Sequence, residues 1–297
     1  INQGARRILF SSSLRLPEID AYYLHKLHKV GIECVFLMHR PFYDLLVPSG
    51  RKYRAIKKIM QLCPEILVMT NYAANIAINF YQQPEEKFTL FPHPHYKTFL
   101  DNYETDTTYL ADLKSWCAGF PVVLYMSGLH YSHGLTDLAA AIPIVHSRMP
   151  ECRFLFLGND HMDGNSSVAL QIRERFKNDN RIRCNFGFYQ NSEAKACLSL
   201  SSILAVPYRD IVQSGVVPMA AGEGVPSVVT RVGGLPEMVL EGISGEVAEP
   251  QNPQDFADKL CSVLMDYNKY KRDTLKVASE LFSPDRCCEI IVNTLGK

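Results

Sequence analysis

The sequence predicts an α/β protein made of two doubly wound domains, each built on a parallel sheet. Short apolar runs, of the length of buried strands, alternate along the chain with helical patterns of about ten to fifteen residues. The chain has 297 residues, which is enough for two ordinary domains. The segment Gly119-Phe120-Pro121 interrupts the alternation and predicts a boundary between residues 1–118 and 119–281.

Composition is that of an ordinary soluble globular protein. The chain is 47% hydrophobic and 21% charged, and 31 basic residues balance 31 acidic ones. Overall charge therefore predicts neither nucleic-acid binding nor a broad attraction to anionic membranes. No apolar run has the length of a transmembrane helix and no signal peptide is visible, so a cytoplasmic location is expected.

The nine cysteines are scattered mostly through apolar runs, and no CxxC pair occurs. This usage predicts small buried hydrophobic side chains in a reducing compartment. Two histidines in Pro92-His93-Pro94-His95 are too few for a metal site without a nearby cysteine or carboxylate cluster. No metal site is predicted.

The first domain begins with a β-α-β unit, which favours a parallel sheet. A strand at 7–11 leads into a helix at 17–30, which Gly31 ends. A strand at 34–38 then delivers His39 into a loop. Further elements are predicted at 53–63 (a basic helix), 65–69, 72–82 (a helix capped at Thr70-Asn71), 87–91 and 104–118 (a charged helix or linker).

The second domain repeats the alternation five times. Its strands are predicted at 122–126, 153–157, 182–186, 203–206 and 228–230. Its helices are predicted at 135–146, 167–176, 192–200, 216–221 and 253–264, with a further turn into a helix at Pro236. A last helix near Pro284, within residues 282–297, is expected to pack back on the first domain.

Three loops of the second domain are expected to meet at one edge of its sheet. They cover residues 128–134, 187–189 and 209–215, and each follows a predicted strand. Ligands of doubly wound sheets bind at the carboxyl ends of the strands. A ligand site is therefore predicted where these loops converge.

The chemistry of residues 204–241 predicts that this ligand is an anion. Ser214 is placed to cap a helix, Gly215 allows close approach to its first N–H groups, and Arg209 offers two donors to a phosphate. The alternative is that Ser214 only caps the helix and Gly215 only packs.

The same stretch resembles the donor-binding half of the retaining, nucleotide-sugar-dependent glycosyltransferases of family 4. The motifs are VPYR at 206–209, QSGV at 213–216, GVPSVVT at 224–230 and VGGLPE at 232–237. Residues 31–40, 61–71 and 87–96 resemble, in order, the later part of the acceptor domain of these enzymes. The resemblance implies a GT-B fold of two Rossmann-like domains, the first incomplete because its opening strand and glycine-rich loop are missing from the sequence.

For the donor diphosphate, the resemblance implies a set of ligands on the second domain. Backbone N–H groups would come from Ser214, Gly215 and Val216, and Gln213 belongs to the same binding segment. The loop with Gly128, His130 and His133 corresponds to one that usually holds the diphosphate with an arginine and a lysine. Here His133 stands at the lysine position, and a histidine holds phosphate as a cation only when protonated. Arg209 would compensate.

For the rest of the donor, the resemblance implies that Gly187, Phe188 and Tyr189 contact the base and that His39 faces the sugar. An ordinary core position for Phe188 and an ordinary loop position for His39 remain the alternatives. A pair of sugar-binding glutamates found in much of the family is replaced here by Ile211 and Met219. His39, Arg209 and His133 are the candidate catalytic residues, and no metal or other cofactor is expected.

Three functions remain open from the sequence. The first is a retaining glycosyltransferase acting on a nucleotide-sugar donor and a saccharide or lipid-linked acceptor. The basic stretch at 51–58 would then touch the inner face of a membrane, or else be a solvated surface. The second is a catalytically inactive relative, for which a partner chain would complete the first domain. The third is another GT-B enzyme, such as a sugar-nucleotide epimerase, although the motifs at 206–209 and 213–216 argue against it.

Overall fold

The computed structural model describes residues 6–12, 14–41, 50–159 and 166–296. It forms two compact units: unit 1 is Ile1–His93 with Pro284–Lys297, and unit 2 is Pro94–Ser283. Both are α/β units with Rossmann-like parallel sheets, which confirms the predicted fold class.

Unit 1 contains a four-stranded parallel sheet of order β1-β2-β3-β4. Its elements, in chain order, are β1 (Arg7–Ser12), α1 (Pro17–Lys29), β2 (Glu33–Met38), α2 (Arg51–Leu62), β3 (Ile66–Val68), α3 (Asn71–Tyr81) and β4 (Phe88–Leu90). Strands β2 and β3 are apolar and lie at the centre of the sheet, where Val35, Phe36 and Leu67 are inaccessible to solvent. Thr70 caps α3 by accepting a hydrogen bond from the Ala73 N–H at 3.2 Å.

Unit 2 contains a six-stranded parallel sheet and most of the helices. Its elements are α4 (Lys97–Asp101), α5 (Thr107–Cys117), β5 (Val122–Gly128), α6 (Leu135–Arg148), β6 (Arg153–Asn159), α7 (Ser167–Phe176), β7 (Ile182–Phe186), α8 (Asn191–Leu200), β8 (Ile203–Val206), α9 (Val216–Gly222), β9 (Ser227–Thr230), β10 (Gly245–Ala248), α10 (Pro253–Met265) and α11 (Tyr267–Leu281). Apolar side chains on both faces of this sheet form two core layers, as a doubly wound unit requires.

The strand order of unit 2 is β10-β9-β8-β5-β6-β7. In chain order this is the arrangement in which the first strand lies at the centre and the chain runs outward first to one side and then to the other. The direction reverses between β5 and β8, which pair through Val123 with Ile203 and Leu124 with Leu204.

Helix α12 (Pro284–Leu295) groups with unit 1. Arg7 donates from Nη1 to the Thr294 carbonyl at 2.6 Å. The Cys287 thiol, 3.2 Å from the Pro92 carbonyl, lies in a buried cluster with Val35 and Leu67. These contacts attach the helix to the sheet of unit 1.

The boundary between the units differs from the predicted one. It lies at residues 93–94, not near Gly119, because α4 and α5 pack on unit 2. Leu113 and Cys117 are buried in its core, and Lys195 donates to the Tyr103 carbonyl at 3.2 Å. The Gly-Pro break therefore lies inside unit 2, between α5 and β5.

Several local predictions also need correction. The sequence pattern did not reveal α4, α11 or β10, and Leu235–Met238 is a single 3-10 turn where a helix was expected.

All nine cysteines are free thiols and seven of them are buried, while Cys184 is half-buried and Cys288 is exposed. In the described ranges, none of the helices combines the length and apolar content needed to cross a bilayer.

Candidate functional site

The switch of strand order in unit 2 places two loops side by side at the carboxyl edge of its sheet. One follows β5 and leads into α6; the other follows β8 and leads into α9. Adjacent strands that send their connections to opposite faces leave a crevice between these loops. The convergence expected from the sequence for residues 128–134 and 209–215 is what this topology produces.

Gly134 and Pro207 join the two loops closely. Gly134, with φ of +63°, is the residue before α6, and a Cβ there would lie 1.8 Å from the Pro207 carbonyl oxygen. Only glycine fits this backbone conformation and this separation. The Arg209 N–H also donates to the Ser132 carbonyl at 2.7 Å. The edge is therefore a fixed surface formed by both loops.

Tyr208 lies at the centre of the crevice and is 3% exposed. Its hydroxyl is 2.6 Å from Ser127 Oγ at the end of β5, and it also hydrogen-bonds Ser214 in the loop before α9. Burial raises the pKa of Tyr208, although the hydrogen bonds with Ser127 and Ser214 oppose this change. The phenol is therefore neutral at physiological pH, and its oxygen connects the end of β5 to the loop between β8 and α9.

His133 stacks on Tyr208, with ring centroids 4.4 Å apart and planes inclined by 16°. Its Nδ1 lies 2.9 Å from the Gly128 carbonyl oxygen and 2.9 Å from Ser127 Oγ. Because a carbonyl oxygen only accepts, the Gly128 contact requires the proton on Nδ1. Nε2 then gains a proton only when the ring becomes an imidazolium. His130 lies against the same ring, with centroids 5.3 Å apart.

Arg209 is paired within the loop. It donates to both carboxylate oxygens of Asp137 at 2.7 and 2.6 Å and to Thr136 Oγ1 at 3.0 Å. Its guanidinium carbon lies 4.2 Å from the centroid of the Tyr131 ring. Asp137 thus occupies two of the guanidinium donors and balances its charge, and the predicted contact of Arg209 with phosphate stays a prediction.

The loop before α9 differs from the predicted cap. The helix begins at Val216 with Gly215 as its N-cap, and no side chain caps it. Ser214 is buried and hydrogen-bonds Tyr208 instead of the first turn. Pro218, in the first turn, has no N–H, so the amides that need a partner from outside the helix are those of Gly215, Val216 and Val217. The anion-binding prediction is retained for these amides, without a capping role for Ser214.

Gln213 has a side-chain oxygen that is shielded from solvent and has no hydrogen-bond partner among the described residues. The preceding residue, Val212, accepts at its carbonyl from the Gly234 N–H at 3.1 Å, which links this loop to the turn after β9. Ile211 and Met219, which the resemblance aligns with a pair of glutamates, are half-buried against the apolar core of unit 2. They contribute no polar group.

The carboxyl end of β6 and the loop after β7 extend the same edge. The Gly187 N–H donates to the Gly158 carbonyl at 2.8 Å, and the Leu129 N–H donates to the Asn159 carbonyl at 2.9 Å. Phe188 is 78% exposed, so the interpretation as a core residue is wrong. Tyr189 is half-buried, and burial raises its pKa. An exposed ring at this edge can stack on another planar group.

His39 belongs to unit 1, whereas all the other predicted site residues belong to unit 2. It follows β2, and its Nε2 lies 3.0 Å from Ser11 Oγ in β1. Burial lowers its pKa, so the ring is neutral at neutral pH.

Sequence reasoning did not identify Ser127 and Asp137, and it assigned no role to Tyr208. Tyr208 is part of the VPYR motif, which was the available signal. Asp137 is an acidic residue in the first turn of α6, a position that is usually explained by the helix dipole. Its bond to Arg209, 72 residues away, is a tertiary contact that no local pattern indicates.

A family model described as glycosyl transferases group 1 matches residues 120–266, which lie in unit 2 and begin after α5. Among curated proteins, the gpi3 subunit of the phosphatidylinositol N-acetylglucosaminyltransferase of Schizosaccharomyces pombe is 31% identical over 156 residues, covering 52% of this chain and 33% of that protein. An uncharacterized glycosyltransferase of Methanocaldococcus jannaschii is 36% identical over 103 residues, covering 32% of this chain and 28% of the relative. The chain thus spans about a third of these relatives.

Solved structures with a similar fold include Anabaena HepE in complex with UDP, with a TM-score of 0.80 at 15% identity over 97% of this chain and 78% of that one. Sucrose-phosphate synthase of Thermosynechococcus elongatus gives a TM-score of 0.74 at 16% identity, covering 97% and 72% of the two chains. At this identity the likeness establishes the fold, which is that of GT-B glycosyltransferases. Together, the family model and the curated relatives support a glycosyltransferase of group 1.

Proposed function

We propose that the chain catalyses transfer of a sugar, with retention of anomeric configuration, from a nucleoside diphosphate donor to an acceptor hydroxyl. The diphosphate would lie at the carboxyl edge of the unit 2 sheet, between the loops after β5 and β8. One observation carries this proposal: the amides of Gly215, Val216 and Val217 open the uncapped α9 beside the Tyr208 and His133 stack.

The chemistry needs negative charge to be stabilised on the leaving group. When the bond between the anomeric carbon and the β-phosphate oxygen breaks, its electron pair stays on the diphosphate. The α9 amides would hold this charge, and His133 would add a donor at Nε2 once protonated. Arg209 would contribute only to the extent that the diphosphate competes with Asp137 for its donors.

UDP-sugars are the donors to test first. Structures similar in fold contain UDP and UDP-glucose, and the Schizosaccharomyces relative is named as an N-acetylglucosaminyltransferase subunit. We therefore propose UDP-N-acetylglucosamine as the first donor and a phosphatidylinositol lipid as the first acceptor. The exposed Phe188 ring would stack on the base.

Isothermal titration of UDP, GDP and ADP into the full chain tests the donor site. Gly215→Pro removes one proposed donor N–H at a φ of −75°, which proline adopts, while Gly215→Ala keeps the N–H. We expect UDP to bind the wild type and the alanine variant similarly and the proline variant about 10–100-fold more weakly, since one hydrogen bond to a charged group is lost. Equal binding by both variants, with matching melting temperatures, would remove these amides from the site.

Retention is tested separately, by incubating the full chain with the UDP-sugar and acceptor and reading the anomeric coupling of the product by NMR. A product with the anomeric configuration of the donor supports the proposal. A product with the opposite configuration contradicts it.

A non-catalytic, nucleotide-binding subunit is the second candidate. The Asp137–Arg209 pair favours it, because the strongest cation of the predicted site is already neutralised. This candidate predicts UDP binding without donor hydrolysis or transfer. Release of free sugar from the donor would exclude it.

A further inference from the structure

The outward side of α1 in unit 1 carries large apolar side chains in a regular stripe. Ile19 and Tyr23 lie in the helix, and Leu16 and Val30 flank it as its N-cap and C-cap residues. The four follow one another at intervals of three, four and seven residues, which is the spacing of one helix face. Ile19 is 50% exposed, Tyr23 is 62% exposed and Val30 is 61% exposed. Exposed apolar side chains grouped along one helix face mark an interaction surface.

Lysines lie within and beside this stripe. Lys26 occupies the position between Tyr23 and Val30, and its Nζ lies 5.4 Å from the centroid of the Tyr22 ring. Lys29 lies on the neighbouring helical row. Partial desolvation, then the positive charges of Lys29 and Lys58, lower the pKa of His25, so α1 and α2 contribute to one positive field.

Helix α2, which packs beside α1, extends the positive surface. It carries five basic residues and no acidic one. Helices α1 and α2 together hold seven lysines and arginines against two carboxylates, and one of these, Asp20, accepts a hydrogen bond from Ser12 Oγ. Because the whole chain has a formal net charge of zero, this surface represents a strong local separation of charge.

We propose that α1, supported by the basic α2, docks on an anionic lipid bilayer, with the stripe of Leu16, Ile19, Tyr23 and Val30 at the headgroup boundary. Aliphatic and tyrosine side chains flanked by lysines form the pattern of helices that lie in the membrane interface. Lysine side chains reach lipid phosphates while their stems cover apolar surface. Aliphatic side chains would make few favourable contacts with a nucleic acid, because contacts to its backbone are polar and ionic. The proposal is independent of the sugar-transfer function.

Vesicle co-sedimentation of the full chain tests the docking, using vesicles of phosphatidylcholine alone and of phosphatidylcholine mixed with phosphatidylserine. We expect binding to the mixed vesicles only, with weakening as salt increases. Lys26→Gln with Lys29→Gln should lower the partition coefficient by about fivefold per lysine. Ile19→Ser with Tyr23→Ser should lower it on the order of tenfold while leaving the salt dependence in place.

The matched control removes the same charge elsewhere: Lys177→Gln with Lys276→Gln, two exposed lysines of unit 2, should bind as the wild type does. Thermal melts confirm that each variant is folded. Equal loss of binding in the control, or no preference for anionic vesicles, would overturn the proposal. The proposal would also be overturned if the Ile19→Ser, Tyr23→Ser variant bound vesicles normally but was a monomer in light scattering where the wild type is a dimer. That result would assign the stripe to a second copy of the chain. Excess RNA, added at constant salt, should not displace the protein from vesicles. If RNA displaced the wild type and the stripe variant equally, the surface would be assigned to nucleic acid.

Discussion

At the scale of single residues, the hydroxyl of Tyr208 links segments that are far apart in the chain. It contacts Ser127 at the end of β5 and Ser214 before α9 while its ring supports His133. Ser127 and His133 belong to the end of β5 and the loop that follows it, and Ser214 belongs to the loop before α9, so one side chain joins both sides of the proposed diphosphate site. Arg209 is held by Asp137 in the same region, and this pair controls how much positive charge the site offers.

Asp137→Asn tests that control. The substitution removes the negative charge paired with Arg209, so a diphosphate no longer has to compete for the guanidinium. We expect UDP to bind about three- to tenfold more tightly, as suits a partly exposed ion pair of about 1 kcal/mol. Titration calorimetry measures the change.

The control for this variant is Asp112→Asn, which removes a carboxylate paired with Arg183 away from the switch point. It should leave UDP affinity unchanged. Weaker UDP binding by Asp137→Asn in a protein with an unchanged melting temperature would show that Asp137 positions Arg209 for the ligand rather than competing with it.

The residue types of the site could be predicted from sequence, but their partners could not. The VPYR and QSGV motifs lie in the loop that follows β8 at the switch of strand order. Ser214, however, was expected to cap α9, because the pattern of a serine before a helix gives no information about a buried tyrosine hydroxyl six residues earlier. Asp137 was missed for the same reason, since its partner lies on another strand's loop.

At the scale of elements, the start of α6 and the end of β8 fit only if position 134 has no side chain. Gly134→Ala would place a Cβ 1.8 Å from the Pro207 carbonyl oxygen at a φ of +63°. We expect a loss of about 2–4 kcal/mol of unfolding free energy, from overlap together with left-handed strain. Urea denaturation measures it.

Gly119→Ala separates the two contributions. Gly119 has a φ of +80°, and a Cβ there would meet nothing within 4 Å, so it should show the conformational cost alone, about 1 kcal/mol. Equal losses at positions 119 and 134 would mean that the two loops are not in tight contact.

The loop between α7 and β7 provides a prediction of pH dependence. Hydrogen bonds from the Arg181 side chain lower the pKa of Asp179. Since the folded-state pKa lies below the unfolded one, the pair's stabilisation is present above the unfolded pKa and is lost as pH falls through the folded pKa. Asp179→Asn should therefore lower the melting temperature near neutral pH, and the difference from wild type should shrink toward zero in acid.

His146 responds to pH in a different window. Burial lowers the pKa of His146 in the folded protein. The folded state therefore begins to lose stability when pH falls below the pKa that histidine has in the unfolded chain. His146 Nδ1 lies 4.0 Å from Asp179 Oδ2, and the Asp179 charge favours protonated His146, so the comparison is made in a His146→Gln background to isolate the Asp179–Arg181 pair. Asp258→Asn, which removes an exposed pair with Arg148, is the control and should show little effect. A constant difference between wild type and Asp179→Asn from neutral to acid pH would contradict the assignment.

Strands and long helices were predictable because their signals are local. The apolar run 203–206 and the helix 167–176 have the same bounds in sequence and structure. Helix α4 has only five residues, too few for a periodic pattern, and β10 follows a glycine-rich turn that obscures it. The unit boundary was misplaced because packing of α5 on α8 is a tertiary event that the Gly-Pro break does not reveal.

At the scale of the whole molecule, the arrangement of strands in unit 2 explains why a site exists. Reversal of strand order between β5 and β8 opens a crevice at the carboxyl edge, and the segments with the family motifs line it. Alternation of strands and helices predicted the doubly wound sheet and the edge at which its loops converge. It did not give the side-chain bonds within that edge, which join residues 81 and 72 positions apart.

Hydrogen–deuterium exchange of the full chain with and without UDP tests the central claim most directly, because the proposed phosphate donors are backbone amides. We predict that UDP slows exchange in peptides covering 128–134 and 213–217, and that peptides of β10 and α10 exchange at the same rate in both states. Unchanged exchange at 213–217 in UDP-saturated protein, or protection confined to other segments, would contradict the placement of the diphosphate at the switch point.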